Sequence, residues 1–158
     1  MLLANLAPGR NYFDGRVALQ NGTTKTIAPF FSAAATGDPV SPTWVLTMLD
    51  GRAQLFNANF DPLSTLSGWG SDVAGTDAHC GGSSPVLATK PGDAREPDAI
   101  QAYAVNARTV APLSPPLAFS GPVTALWPSA SGAVAVSQDL TTGKYEADLV
   151  TVDCAPRP

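Results

Sequence analysis

The sequence contains little histidine, cysteine and lysine, and this scarcity narrows the chemistry that the chain can perform. Its 158 residues include one histidine, two cysteines and three lysines. Any mechanism that uses an imidazole base must therefore use His79. A zinc site needs three or four suitable ligands, and one histidine with two cysteines outside a Cys-x-x-Cys motif does not supply them. The composition argues against a zinc centre.

The standard phosphate-binding and nucleophile motifs are absent as well. The sequence has no Gly-x-x-x-x-Gly-Lys-Ser/Thr loop, no Gly-x-Gly-x-x-Gly fingerprint and no Gly-x-Ser-x-Gly elbow. A pair of carboxylates for glycoside hydrolysis would be brought together by folding, so spacing does not exclude it. No catalytic residue is assigned from the sequence.

Charged residues are sparse, at 14% of the chain, whereas typical soluble domains have about a quarter. The formal net charge is −4, and no basic stretch could follow a phosphate backbone. We therefore expect no nucleic-acid partner. No apolar run is long enough to span a bilayer, so we expect no transmembrane segment. The first ten residues, MLLANLAPGR, lack the basic and apolar regions of a signal peptide.

Two features nevertheless favour a location outside the cytoplasm. Cys80 and Cys154 lie far apart in polar Gly-, Asp- and Pro-containing segments, which suits one structural disulfide. Two unrelated free thiols are the alternative, because pairing cannot be deduced from sequence. The surface composition, low in Lys and rich in Ser, Thr, Ala and Pro, is also typical of exported proteins. We predict a periplasmic, cell-surface or secreted protein.

Proline and glycine are abundant and evenly dispersed, which favours many short strands over a few helices. There are 15 Pro and 14 Gly, and both residues punctuate short elements. Alternating apolar segments recur, as in TWVLTML (43–49) before RAQLFNA (52–58), and GAVAVSQ (132–138) before KYEADLVTV (144–152). The helix-like window 98–111 also reads as a strand, because Pro97 and Pro112 enclose it. The second arms of successive hairpins begin near Arg16, Arg52, Ile100 and Lys144.

These starting points are separated by about 36, 48 and 44 residues, the spacing of β-propeller blades. We therefore predict a single all-β, propeller-like domain over residues 1–158. It would have about four antiparallel, four-stranded blades at roughly 1–29, 30–67, 68–119 and 120–154. The first blade would lack its inner strand and the last its outer strand, as in the C-terminal half of a larger ring. Open sheet edges favour aggregation, so another chain or a second copy is expected to cover them.

Asp-Gly pairs mark the predicted hairpin turns. Asp14-Gly15 and Asp50-Gly51 are each followed by arginine, and both are interpreted as tight turns that need a positive φ angle. The equivalent point of the last hairpin keeps Gly143 but not the aspartate. A turn tolerates that loss, whereas a recognition motif would not.

The last two predicted blades carry a resemblance to a known class of protein. WGSDVAGTDAHCGGSSPVLATKPGDAREPDAIQAYAV and SGPVTALWPSASGAVAVSQDLTTGKYEADLVTVDC resemble the terminal blades of uncharacterised bacterial cell-envelope β-propeller repeat proteins. The resemblance spans roughly residues 43–154 and rests on a blade-like sequence pattern rather than on a catalytic signature. It implies a secreted or periplasmic propeller and does not imply a reaction.

The loop SDVAGTD (71–77), together with His79, is the candidate binding site. Asp72, Asp77 and His79 are its candidate residues. Carboxylates in Gly- or Pro-bearing loops can bind calcium, and PGDAREPD (91–98) offers a second such loop. Neither loop has the regular Asp-x-Asp-x-Asp-Gly pattern, and turn formation is the simpler explanation of both. No other cofactor is expected.

Aromatic residues recur in or beside the predicted strands. At such positions they usually fill the space between blades, and a platform for stacking sugars is the alternative. We predict a non-catalytic binding or structural module of the cell envelope or extracellular space. The alternative is part of a carbohydrate- or ester-directed hydrolase whose catalytic residues lie partly on a missing half. The aromatic residues concerned are Trp44, Phe56, Trp69, Phe119 and Trp127.

Overall fold

The computed structural model describes residues 3–19, 21–80, 84–92 and 97–154. Within these ranges the chain forms fifteen antiparallel strands and no helix, arranged in three sheets that we number I to III. The prediction of an all-β, antiparallel chain is confirmed. Accordingly, the described ranges contain no helix long and apolar enough to cross a bilayer.

Sheet I contains seven strands from the N-terminal half of the chain. They are β1 (Leu3–Leu6), β2 (Phe13–Ala18), β3 (Thr24–Thr26), β4 (Phe30–Asp38), β5 (Ser41–Met48), β6 (Ala53–Phe56) and β7 (Pro62–Leu66). Their order is β1-β2-β4-β5-β6-β7, and β3 also pairs with β2. The predicted first two blades are joined here, because Phe13 of β2 pairs with Phe30 of β4. The stacked rings of these two residues, 5.0 Å apart, pack at this junction.

Sheets II and III follow in the C-terminal half. Sheet II contains β8 (Val73–Gly75), β9 (Val86–Lys90), β10 (Ala99–Val105), β11 (Val110–Pro112) and β12 (Leu117–Ala118), and sheet III contains β13 (Val123–Ser129), β14 (Gly132–Gln138) and β15 (Tyr145–Thr151). The strand predicted between Pro97 and Pro112 is thus confirmed as β10. The end of the predicted third blade contains two short strands, β11 and β12. Pro115 and Pro116 lie in the gap, where neither can donate a ladder hydrogen bond.

The core consists of layers, with sheet II packed between the other two sheets. Alternate side chains of a strand point to opposite faces, so each strand of sheet II can contribute to two clusters. In β9, Val86 and Ala88 face sheet I, whereas Leu87 faces sheet III. In β10, Tyr103 and Ile100 divide in the same way. Strand β8 contacts both β4 of sheet I and β13 of sheet III, so it lies between the two outer sheets.

A third cluster joins the two halves of sheet I. It contains Val17 of β2 together with Phe30, Leu46, Phe56 and other side chains from β4 to β6. Burying side chains of this size stabilises each by about 1.5–3 kcal/mol relative to leaving it exposed. Apolar clusters therefore lie between sheets I and II, between sheets II and III, and between the two halves of sheet I.

The Asp-Gly prediction is right at one position and wrong at the other. Gly51 has a φ of 82° in the turn between β5 and β6, as expected. Gly15 also has a positive φ, 80°, but it lies inside β2, and the β1–β2 turn occupies the preceding residues 7–12. Glycine is needed at this position because the backbone packs closely there: a Cβ on Gly15 would lie 2.3 Å from the carbonyl oxygen of Ile27.

Candidate functional site

The structure separates the three predicted binding residues into two places. Asp72 immediately precedes β8, whereas Asp77 and His79 follow it. At about 3.3 Å of rise per residue, this strand holds Asp72 well away from the other two. The segment 71–77 is therefore not one loop, and its two carboxylates do not converge on one ion.

Asp72 lies in a half-buried position between neighbouring strands. Its Oδ2 accepts a hydrogen bond from the Ser71 hydroxyl at 2.7 Å. Burial raises the pKa of the Asp72 carboxyl above its ordinary value, and the Ser71 hydrogen bond lowers it by less. The backbone of Asp72 pairs with Thr89, whose N–H donates to the Asp72 carbonyl at 3.0 Å. Asp72 is thus integrated into the packing of sheet II.

Asp77 and His79 line a cavity of about 400 Å³ between sheet I and the loop after β8. The Ser84 hydroxyl lies 3.4 Å from Nδ1 of His79, and the Thr36 hydroxyl donates to the Ser84 carbonyl. Thr76 also lines the cavity, and its buried Oγ1 has no hydrogen-bond partner among the described residues. This hydroxyl-rich pocket is suited to a small polar ligand.

The same pocket does not assemble a nucleophile, base and acid. Such a set needs the acid bonded to the imidazole and the imidazole bonded to the hydroxyl. In the described ranges neither Asp72 nor Asp77 bonds His79, and the Ser84–His79 contact is long. Nor do three or more His, Cys, Asp or Glu side chains come together there in a way that could hold a metal ion.

The second predicted calcium loop, 91–98, is described only in part, because residues 93–96 lie outside the described ranges. Its last residue, Asp98, has a structural arrangement. Oδ1 of Asp98 accepts from the Gly92 N–H at 3.1 Å, and Oδ2 accepts from the Val123 N–H at 2.9 Å. Both carboxylate oxygens therefore hold backbone together, where Asp98 links sheet II to the start of sheet III.

Cys80 and Cys154 form a disulfide, with their Cα atoms 4.9 Å apart. Cys80 follows β8 and Cys154 follows β15, so the crosslink fastens the C-terminal end of sheet III to sheet II. Of the two alternatives that the sequence leaves open, the structure contains the pair.

Sheet III presents an apolar outer face that nothing in the described chain covers. Trp127, Val134 and Leu149 stand directly opposite one another on β13, β14 and β15. The alternate residues of β14, Ala133 and Ala135, point inward and are fully buried against sheet II. On the outer face, Trp127 is 58% exposed and Leu149 is 60% exposed.

Trp127 differs from the other predicted aromatic residues. Phe56 and Trp69 are buried in the core, and Trp69 packs on Tyr103 with the ring centroids 4.6 Å apart. Trp44 is half-buried and stacks on Phe60. The prediction that aromatics fill the space between layers holds for these residues. Trp127 also lies on a strand face, but no sheet of the described residues packs over it.

At the opposite end of the stack, the outer face of β2 and β3 carries polar side chains. On the paired strands β2 and β3, Arg16 stands opposite Thr26, and both are exposed, as is Thr24. The two ends therefore do not match in polarity. Simple head-to-tail packing of copies would place Trp127 and Leu149 against this polar surface, at the cost of desolvating it.

The outer edge of β15 is unpaired as well. Sheet III runs β13-β14-β15, and no strand in the described ranges pairs with the far side of β15. All residues from Tyr145 to Leu149 are exposed.

Neither the outer face of sheet III nor the hydroxyls around His79 were predictable from the sequence patterns. Strict alternation over 144–152 signals a strand with two distinct faces, but it does not show which face lacks a neighbour. Thr36, Thr76 and Ser84 carry no spacing signal, because folding brings them together from different segments. Comparison of the chain with protein-family models, curated proteins and solved structures gives no match.

Proposed function

We propose that the protein is a non-catalytic binding or structural module of β-propeller-like design that assembles with another chain, whose sheet covers the outer face of sheet III. The observation that carries this proposal is the uncovered apolar face around Trp127 and Leu149. Contiguous exposed apolar surface on a soluble protein marks an interaction site. Without geometry for nucleophilic or metal chemistry in the described ranges, we favour binding over hydrolysis.

The kind of element that would cover this face is inferred by comparing it with the apolar clusters between the sheets inside the molecule. The clusters between sheets I and II and between sheets II and III each join two sheets that pack face to face. Small and branched apolar side chains dominate both clusters, and Trp69 and Tyr103 add aromatic rings to the first. The outer face of sheet III carries similar side chains: Val134 lies between Trp127 and Leu149, and Val136 lies between Ala125 and Ala147. A further β-layer with an apolar face is the occupant that matches it.

A location in the cell envelope or extracellular space is part of the proposal. The Cys80–Cys154 disulfide supports it, because such bonds persist in oxidising compartments and are rare in the cytosol. The low-lysine composition agrees with this location.

A matched pair of substitutions tests the proposal. Leu149→Glu places a charge on the outer face, and Leu140→Glu places the same charge at a leucine of similar exposure, 58%, in the turn before β15. Binding of a fluorescent hydrophobic dye and weak, concentration-dependent self-association should both occur in the wild-type chain. Leu149→Glu should reduce both, and Leu140→Glu should reduce neither.

Equal behaviour of the two variants, or a wild-type monomer that binds no dye, would contradict the proposal. A tight dimer lost only in Leu149→Glu would show that a second copy covers the face, which contradicts the assignment to another chain. Both leucines are exposed, so the melting temperature should change little in either variant and folding does not confound the result.

A further inference from the structure

We infer that the free edge of β15 binds an extended partner strand in which basic and apolar residues alternate. This inference rests on the proposed function, because the strand would belong to the chain that covers sheet III. It adds the chemistry of the partner, which the apolar face does not specify.

The backbone of β15 is arranged to accept such a strand. The Val152 N–H donates to the Ser131 carbonyl, and the Asp139 N–H donates to the Lys144 carbonyl, each at 2.9 Å. Antiparallel ladders alternate, so the even-numbered residues of β15 bond to β14. The N–H and C=O groups of Tyr145, Ala147, Leu149 and Thr151 therefore point outward, where a further strand can pair with them.

The side chains of β15 specify which strand is suitable. Glu146 and Asp148 lie on one face of the strand and border a groove of about 500 Å³, which residues 117–120 line on the other side. Neither carboxylate forms an ion pair within the described ranges. Tyr145, Ala147 and Leu149 lie on the other face, which is continuous with the apolar outer face of sheet III.

Cross-strand neighbours interact directly, and opposite charges stabilise the pair whereas like charges destabilise it. A strand with Lys or Arg opposite Glu146 and Asp148 would neutralise both carboxylates. Its intervening residues would then extend the apolar face. A second copy of β15 fits less well, because the fully overlapping antiparallel register places Asp148 opposite Asp148.

Synthetic peptides can test the edge with the full chain. The probe is a capped nine-residue peptide of alternating Val and Lys. One control peptide has Glu in place of Lys. The other is the Val-Lys peptide with N-methyl groups on the backbone amides of the edge that would pair with β15. Fluorescence anisotropy should give at least tenfold tighter binding of the Val-Lys peptide than of either control. Two charge pairs and a hydrogen-bonded ladder account for a difference of this order.

Amide hydrogen exchange distinguishes strand addition from general attraction to an acidic protein. Saturating Val-Lys peptide should slow exchange at Ala147, Leu149 and Thr151 by tenfold or more. The amides of Glu146 and Asp148 already bond to β14 and should change little. Protection without this alternation would overturn the inference.

Charge-reversed variants provide the second test. The variant E146K/D148K should bind the Val-Glu peptide in preference to the Val-Lys peptide. The control variant D14K/D38K makes the same change in net charge at two exposed aspartates of sheet I, away from β15, and should keep the wild-type preference. An unchanged preference in E146K/D148K, or equal effects of the two variants, would overturn the inference.

The two proposals fail in different ways. If no peptide protects β15 while Leu149→Glu still abolishes dye binding, the inference about the partner strand is wrong and the proposed function stands. If the Val-Lys peptide protects the odd-numbered amides of β15 while Leu149→Glu behaves like Leu140→Glu, the inference about the strand stands. The proposal that another chain covers the outer face of sheet III is then wrong.

Discussion

Removing the disulfide should be the most destabilising change outside the core, and the structure allows its size to be worked out. The perturbation is the double substitution Cys80→Ser with Cys154→Ser, which avoids leaving one reactive thiol. The crosslink closes a loop with a sequence separation of 74 residues. That loop includes all of β9 to β15, so the bond restricts nearly half of the unfolded chain.

The expected loss follows from the entropy of closing that loop. In the chain-entropy description the unfolded state loses 2.1 + 1.5R ln n cal/mol/K, which for this separation is about 4.5 kcal/mol at 25 °C. Domains are usually stable by about 5–15 kcal/mol, so this loss is a large part of the whole. With a urea m-value of about 2 kcal/mol/M, the unfolding midpoint should fall by about 2 M.

The assay is equilibrium unfolding in urea, followed by tryptophan fluorescence, for the oxidised wild type and the double-serine variant. Adding a reductant should destabilise the wild type to the level of the variant and should leave the variant unchanged. Non-reducing peptide mapping of the wild type confirms that Cys80 and Cys154 are joined. A loss below about 1 kcal/mol, with the crosslink verified, would refute the entropic reasoning.

Three further predictions concern single residues. Gly15→Ala and Gly51→Ala both place alanine at a positive φ, which costs about 1–2 kcal/mol. Only Gly15→Ala also meets the Ile27 carbonyl, so urea unfolding should show it to be about 2 kcal/mol more destabilising than Gly51→Ala, and equal losses would contradict the close packing. Asp98→Ala removes both backbone contacts of the carboxylate and should cost about 2–3 kcal/mol in the same assay, whereas a loss near zero would show that they contribute nothing. Burial raises the pKa of Asp72 in the folded state, so the unfolded state ionises first and stability is lost as the pH rises between the two pKa values. The melting temperature of Asp72→Asn relative to wild type should therefore rise from about pH 3 to about pH 7, and a constant difference would contradict this origin.

The sequence predicted the strands well because strand formation is encoded locally. Alternation over 132–138 and 144–152 shows the side-chain period of two that is typical of strands. The prolines around 98–111 leave room there for a strand. Both signals are local and do not depend on the rest of the chain. The positive φ at Gly51 and Gly143 was predictable for the same reason, since Gly is the residue that enters this region at low cost.

The candidate site was less predictable, because sites depend on which segments meet. Asp72 and Asp77 are five positions apart in sequence, but a short strand between them places them at different ends of a layer. The hydroxyl of Ser84, which precedes β9, lies near the ring of His79, which follows β8. Asp98, predicted as a possible calcium ligand, instead accepts hydrogen bonds from the backbone N–H groups of Gly92 and Val123.

By itself the sequence determined the all-β class, the strand positions and most of the turns, because hydrophobic alternation and backbone preference act between near neighbours. Only the tertiary structure decided that Gly15 lies within a strand, that Cys80 pairs with Cys154, and that Trp127 is exposed while Trp69 is buried. Trp69 lies among Gly and Ser residues and Trp127 lies in an apolar segment, so local composition does not account for the difference. Their burial differs because it depends on whether another layer packs over the strand, and that is a property of the whole stack of sheets.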